Sequence, residues 1–264
     1  MTGPAGGLRP GLCSVTLRAQ PPAAVVRLAA DAGLACVEWG GDVHVPPGEP
    51  GTAEAVRAST ERAGLAVSGY GSYFRATAPD AAEIDRVVAT AVRLGAPRIR
   101  IWAGTVGSAT ATPADRAAVA EAAGRLVDRA AEHAITVAFE FHGGTLTDDP
   151  ASTLRLLRAV DRPTVGSYWQ PPNGRPDAEA LAGLATVLDQ VMAVHVFSWW
   201  PDSQRLPLAA RAPLWRAAFA TLRQARRPLD ALLEFVPDDD PTLLAGEAAT
   251  LRDLLADATP TPTP

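Results

Sequence analysis

Three apolar runs in this 264-residue chain carry polar side chains that packing does not explain. Val137-Ala-Phe-Glu-Phe-His-Gly-Gly144 stops at a carboxylate, an imidazole and two glycines, Val191–Phe197 carries His195, and Leu229–Val236 carries Glu234. Carboxylates are almost never buried without a partner, so Glu140 and Glu234 mark places where polar groups have left the core. Two carboxylates and an imidazole are hard-to-borderline donors, suited to Mn2+, Mg2+, Co2+ or Zn2+ rather than to a thiolate site. Each residue alone reads more readily as structural: Glu234 pairing an arginine, or His195 as a satisfied core histidine. Three of them at corresponding strand ends reverse those odds. His142 lies two residues beyond Glu140 and so on the same face of a strand. It is a candidate substrate-hydroxyl binder or proton relay, or equally a hydrogen-bonding partner of Glu140.

These groups need strands that converge. The chain supplies eight apolar runs: Leu12–Thr16, Leu34–Trp39, Leu65–Tyr70, Arg98–Trp102, Ile135–Phe141, Thr164–Tyr168, Val191–Phe197 and Leu229–Val236. Helical stretches follow each, many opened by proline and several closed by glycine, the expected punctuation of helix starts and stops. Eight strand–helix pairs in about 250 residues predict an α/β fold, a (β/α)8 TIM barrel in a single domain. The expected layout is a flexible leader over 1–11, the barrel over 12–257 and a disordered Thr/Pro tail over 258–264. No G-x-G-x-x-G follows the first strand, which removes the dinucleotide fingerprint. In such a barrel the chemistry gathers at the C-terminal strand ends, where Tyr70, Trp102, Trp169 and Trp199 also fall. Aromatics on that rim suit stacking on the apolar faces of a sugar or polyol; the plainer alternative is a packed plug. His44, in the loop after the second strand, is a softer substrate-binding candidate against the reading of an exposed loop histidine.

Composition excludes several classes. The net charge is −5 and lysine is absent, so Schiff-base chemistry is impossible. With no basic cluster, a nucleic-acid partner is not expected. No apolar segment approaches the ~20 residues of a membrane span, and the N-terminus shows no signal peptide. Cys13 and Cys36 read as small core residues in a reducing compartment. A cytoplasmic enzyme with a small-molecule partner is the expectation.

The order of four motifs makes the reading more specific: Gly33-Leu-Ala-Cys-Val-Glu-Trp39, Phe139-Glu-Phe-His142, Val194-His-Val-Phe197 and Leu233-Glu-Phe235. Together they resemble the xylose isomerase-like sugar phosphate isomerase/epimerase superfamily over nearly the whole chain. The resemblance implies a divalent metal, Mn2+ ahead of Mg2+, Co2+ or Zn2+, held by Glu140, Gln170, His195 and Glu234. Gln170 departs from the pattern, standing in Gly166-Ser-Tyr-Trp-Gln-Pro-Pro172 where the family has Asp; its neutral carbonyl oxygen lowers the charge of the site. Asn173 is a weaker substitute. Catalytic roles carry over to Glu140 and Glu234, and a substrate contact to Arg205. The implied reaction is metal-assisted isomerisation or epimerisation of a small sugar, ketose or cyclitol through proton abstraction and an enediolate. A cyclitol dehydratase-type lyase, or a metal-free sugar-binding barrel, stand as alternatives. Because Pro237-Asp-Asp-Asp-Pro241 would repel a phosphate, an unphosphorylated substrate is favoured. Family members often form homo-oligomers, so a homo-oligomer is a further open expectation. The endonuclease IV type of DNA repair, which uses a histidine-rich multi-metal site, fits poorly with four histidines.

Overall fold

The computed structural model describes residues 7–78, 80–225 and 227–257. Eight parallel strands close into a barrel: β1 (Leu8–Cys13), β2 (Cys36–Gly40), β3 (Ala66–Gly71), β4 (Arg98–Ile101), β5 (Thr136–Glu140), β6 (Val165–Trp169), β7 (Val191–Val196) and β10 (Leu229–Leu233). Closure comes from β1 pairing with both β2 and β10, with Leu12 opposite Leu233. A two-stranded antiparallel hairpin, β8 (Ser198–Trp199) and β9 (Arg205–Leu206), stands apart from the barrel in the loop after β7. The predicted (β/α)8 fold in one domain is observed.

The helices α1 (Pro22–Asp31), α2 (Pro50–Arg62), α3 (Ala81–Leu94), α4 (Pro113–Ala131), α5 (Pro150–Val160), α6 (Asp177–Val187), α7 (Ala212–Arg223) and α8 (Leu244–Asp257) ring the barrel. Their starts follow local chemistry. Thr112 and Asp115 form a reciprocal capping box at α4, and the Asp80 and Asp149 carboxylates accept from backbone N–H groups of α3 and α5. None of the described helices is long and apolar enough to cross a membrane.

The first strand begins four residues earlier than expected. Leu8–Gly11, assigned in sequence to a flexible leader, are the first part of β1, and Ser14–Leu17 turn into a 3-10 helix. Pro10 lies within this strand, and its carbonyl accepts from Ala35 N–H, so the barrel loses only one donor there. Residues 1–6 and the Thr/Pro tail 258–264 lie outside the described residues.

Strand alternation divides the core. Ile99, Ile101, Phe139, Trp39 and Trp169 face the helices, where Trp169 meets Trp215 of α7 edge to face. Inside the barrel a small apolar layer of Cys36, Ala138, Tyr168, Ala193 and Leu232 fills the waist. Polar groups lie on both sides of that layer. Gly71 makes room for the upper group, because a Cβ there would lie 2.4 Å from Arg100 Nη2.

Candidate active site

Six inward-facing side chains, five from the adjacent arc β4 to β10 and one from β2, meet above the apolar waist. Glu38 lies in the middle of β2, Arg100 lies on β4, Glu140 ends β5, Gln170 follows β6, His195 lies on β7 and Glu234 follows β10. The three glutamates, Arg100 and His195 are buried. Each position obeys the two-residue period: Glu38 points in while Trp39 points out, and Tyr168 and Gln170 flank outward Trp169.

His195 is the hub. Its Nδ1 lies 2.9 Å from Gln170 Oε1, 3.3 Å from Glu234 Oε2 and 3.9 Å from Glu140 Oε1. Its Nε2 lies 3.3 Å from Glu38 Oε1. A carboxylate on the far nitrogen fixes an imidazole's orientation and leaves the other nitrogen for a ligand, the usual arrangement of metal-binding histidines. Arg100 ties the two remaining carboxylates together. Its Nε donates to Glu38 Oε1 at 2.8 Å, and its Nη1 donates to Glu140 Oε2. The same Glu140 oxygen accepts from the Trp102 indole N–H. Glu140 therefore keeps its other oxygen, Oε1, turned toward His195.

The electrostatics follow from three carboxyl groups facing one guanidinium. Burial opposes ionisation of Glu38, but Arg100 and then His195 outweigh it and hold the carboxyl well below the usual range. Burial likewise works against the Glu140 carboxylate, and Arg100 followed by His195 again lowers its pKa. For His195 burial disfavours the cation, yet Glu234 and Glu38 push the pKa up to about 10. The nearby Cys13 thiol, 3.5 Å from Glu38 Oε1, is held protonated by burial and by the Glu38 charge. It is not a thiolate nucleophile.

The donor set fits a divalent cation. Three oxygens, from Glu140, Gln170 and Glu234, surround one imidazole nitrogen, and the shorter separations match the roughly 3 Å between neighbouring ligands of an ion with bonds of about 2.1 Å. Excess negative charge among these buried groups is the electrostatic counterpart of that fit. Cys13, His195 and Glu234 also offer donor atoms within 4.8 Å of one another, which puts a soft sulfur beside the oxygen-rich group.

The cluster floors a cavity of about 780 Å3. Trp102, His142 and Trp199 line it as expected from sequence. Trp102 stacks on His142 at 4.8 Å and on Tyr73 at 5.5 Å, with the Arg75 guanidinium 4.1 Å over the indole. Across the mouth, Trp199 stacks on Phe235 at 4.9 Å and on Phe197 at 5.1 Å. Tyr73 and Phe235 adopt φ of 58° and 64°, left-handed conformations that cost bulky residues about 1–3 kcal/mol and gather at functional sites. The turn at Phe235 has a visible result. It follows Glu234 directly, so a continuing strand would send it outward, yet both side chains line the cavity. Thr16 braces the turn, its Oγ accepting from Phe235 N–H at 2.9 Å.

Other sequence candidates sit elsewhere. Tyr70 is fully buried and donates to Val45 O at 2.9 Å, and Trp169 packs against the helices; both are one residue out of phase with the interior. His44 is neither exposed nor in the cavity: it is buried, hydrogen-bonded to Ser14 Oγ and Gln20 O at 3.0 Å each, with burial lowering its pKa. Arg205 stacks 4.4 Å over Phe235, is not among the residues lining the cavity and pairs with Asp239. Asn173 lines the cavity mouth, and Gln170 alone of the two reaches His195. Sequence reading places Glu38 at a strand end without a role and leaves out Arg100. The period-2 pattern Arg98-Ile-Arg-Ile101 carries the signal for Arg100, since both arginines must face the barrel interior.

The xylose isomerase-like TIM barrel profile matches residues 26–251, most of the barrel. The chain belongs to this family. Similar solved structures include the probable 3-DHS dehydratase of petrobactin synthesis from Bacillus anthracis, with a TM-score of 0.78 and 18% identity over 93% of this chain and 99% of that one. An L-ribulose 3-epimerase gives 0.70 and 14% over 95% of both chains. A xylose isomerase-like TIM barrel protein from Mycobacterium smegmatis in complex with magnesium gives 0.68 and 18% over 97% of this chain and 99% of the other. At these identities the likeness to solved structures establishes the fold. Comparison with curated protein sequences gives no significant match.

Proposed function

We propose that this member of the xylose isomerase-like barrels is a divalent-metal-dependent isomerase or epimerase of a small, unphosphorylated polyhydroxy carbonyl compound. The observation that carries the reading is the convergence of Glu140 Oε1, Gln170 Oε1 and Glu234 Oε2 on His195 Nδ1 at 2.9–3.9 Å. Glu140, Gln170, His195 and Glu234 would hold the ion, with Mn2+ or Mg2+ favoured by the oxygen donors. When bound, the ion supplies Lewis-acid polarisation of substrate oxygens.

The chain's own residues supply the rest. Glu234 takes the proton from the carbon beside the carbonyl, and Glu140 serves the opposite transfer. Arg100 and Trp102 fix the Glu140 carboxylate through one oxygen, so its orientation is set before substrate arrives. Glu38 holds the His195 ring through Nε2. Trp102 and His142 offer a stacking face and a polar edge to the substrate.

A dehydratase uses the same first proton withdrawal and then expels a neighbouring hydroxyl. The likeness to a probable 3-DHS dehydratase supports that second reading. The neutral Gln170, which lowers the charge at the site, supports a third in which the barrel binds sugar without metal. The deciding experiment incubates Mn2+-loaded protein with ketoses, aldoses and keto-cyclitols in D2O, followed by NMR. Deuterium entering at the carbon beside the carbonyl, lost in Glu234→Gln, is the expected result. Loss of water from a substrate identifies the dehydratase. No exchange with any compound, together with sugar binding that survives EDTA, overturns the enzymatic reading.

A further inference from the structure

The cavity has two aromatic walls, and a single small sugar needs only one. The first wall is Tyr73, Trp102 and His142, from the loops after β3, β4 and β5. The second is Phe197, Trp199 and Phe235, from the loops after β7 and β10. In the barrel order these two arcs are separated by β6 on one side and by β1 and β2 on the other, so they face each other across the polar cluster. Each wall is backed by a guanidinium, Arg75 at 4.1 Å from the Trp102 ring centre and Arg205 at 4.4 Å from that of Phe235. Each wall also contains a non-glycine residue in the left-handed region, Tyr73 or Phe235, the conformation that accompanies its ring's place in the cavity lining.

The walls differ in their relation to the polar groups. Trp102 is bonded to Glu140 and so belongs to the floor where protons move. Trp199 stands one ring further out, stacked on Phe235 at the hairpin beyond β7. The cavity volume of about 780 Å3 falls in the upper part of the roughly 300–1,000 Å3 that drug-sized ligands occupy, well beyond the need of one hexose.

We infer that the substrate has two rings: the reacting polyhydroxy carbonyl unit lies against Trp102 above Glu140 and Glu234, and a second ring joined to it lies against Trp199 and Phe235. This rests on the proposal that the site binds a polyhydroxy compound. The shared chemistry of the outer ring is a six-membered ring with an apolar face, supplied by a second sugar or by an aryl group. Rings of either kind stack on indole and phenyl faces.

The test is calorimetric titration of the full chain, supplied with Mn2+, using matched non-reacting probes. Methyl and phenyl pairs of gluco-, galacto- and mannopyranosides are compared in both anomers, and cellobiose and maltose provide the sugar arm. In at least one pair the phenyl glycoside, or in the sugar arm a disaccharide, is expected to bind about tenfold tighter than the methyl glycoside, one aromatic stacking contact's worth. The Trp199→Ala variant is expected to bring that ratio close to one, whereas Trp199→Phe, which keeps a ring, retains most of it; thermal unfolding confirms that both variants fold. Methyl and ring-bearing probes that bind equally well overturn this inference and leave the site assignment standing, as does a ratio that Trp199→Ala leaves intact. Failure of every probe to bind overturns both.

Discussion

Arg98 and Arg100 sit two residues apart on β4, face the same interior and end in opposite situations. Below the apolar waist, Arg98 makes four hydrogen bonds from its five N–H groups: Nε to Tyr168 Oη at 2.9 Å, Nη1 to Met192 O at 2.9 Å, Nη2 to Ser68 O at 3.2 Å and to Asp230 Oδ2 at 2.8 Å. Asp230 in turn accepts from Arg9 and Ser68 at 2.7 Å each. Above the waist, three carboxylates, Glu38, Glu140 and Glu234, share Arg100 and the His195 ring, which lies 3.3 Å from both Glu38 and Glu234. The lower network is a satisfied plug. The upper one gathers like charges, an arrangement that costs stability and suits a cation and proton transfer. One strand with a two-residue period thus builds both a structural end and a functional end, in keeping with the division of labour between the two faces of such barrels.

That contrast is open to mutation. The largest effect is expected for Glu234→Gln, which should lower turnover by about 10^2–10^4-fold, the range for loss of a general base. Its unfolding midpoint should fall less than that of Asp230→Ala below, because Glu38 and Glu140 still face His195 when Glu234 is neutral. In the lower network Asp230→Ala leaves Arg98 buried without its carboxylate and should cost about 3–5 kcal/mol in denaturant unfolding, while activity per folded molecule persists.

A pH series separates the ends further. Burial opposes ionisation of Asp230, but Arg9 and Arg98 lower its pKa below the ordinary carboxylate value. Its contribution is therefore fully present above the unfolded-state pKa, near about pH 4, and is lost as pH falls through the lower folded value. Wild-type stability should decline below that pH more steeply than that of Asp230→Asn, followed by circular dichroism. Equal slopes would remove Asp230 from the account. The smallest of these effects is a gain: Gln170→Asp adds one charge to the oxygen donors and should tighten Mn2+ binding by about tenfold or more in a competition titration.

The barrel was legible because hydrophobic runs and helix punctuation recur eight times, a signal that survives errors at any one boundary. Glu140, Gln170, His195 and Glu234 were legible because each lies close to the C-terminal end of a strand. Tyr70 and Trp169 were misplaced for a related reason: proximity to a strand end does not settle which face a residue takes, and a one-residue difference reverses it. His44 was misplaced because its partners, Ser14 and the Gln20 carbonyl, lie 30 and 24 residues away in sequence. The glycines and prolines of the leader hid the first four residues of β1, since both residue types run against the local signal of a strand. Phe235 reached the cavity through a positive φ that composition does not announce. Arg100 was within reach, as the Arg-Ile-Arg-Ile alternation places it inside, but the need for a cation there appears only once Glu38 and Glu140 stand beside it.

The most direct test of the upper end as a cation site is elemental analysis of protein equilibrated with Mn2+ and then freed of loose metal by gel filtration. The account predicts one ion per chain in the wild type and in Asp230→Asn, and loss of that ion in His195→Ala and in Glu140→Gln/Glu234→Gln. Wild-type protein that retains no more metal than those site variants would contradict it.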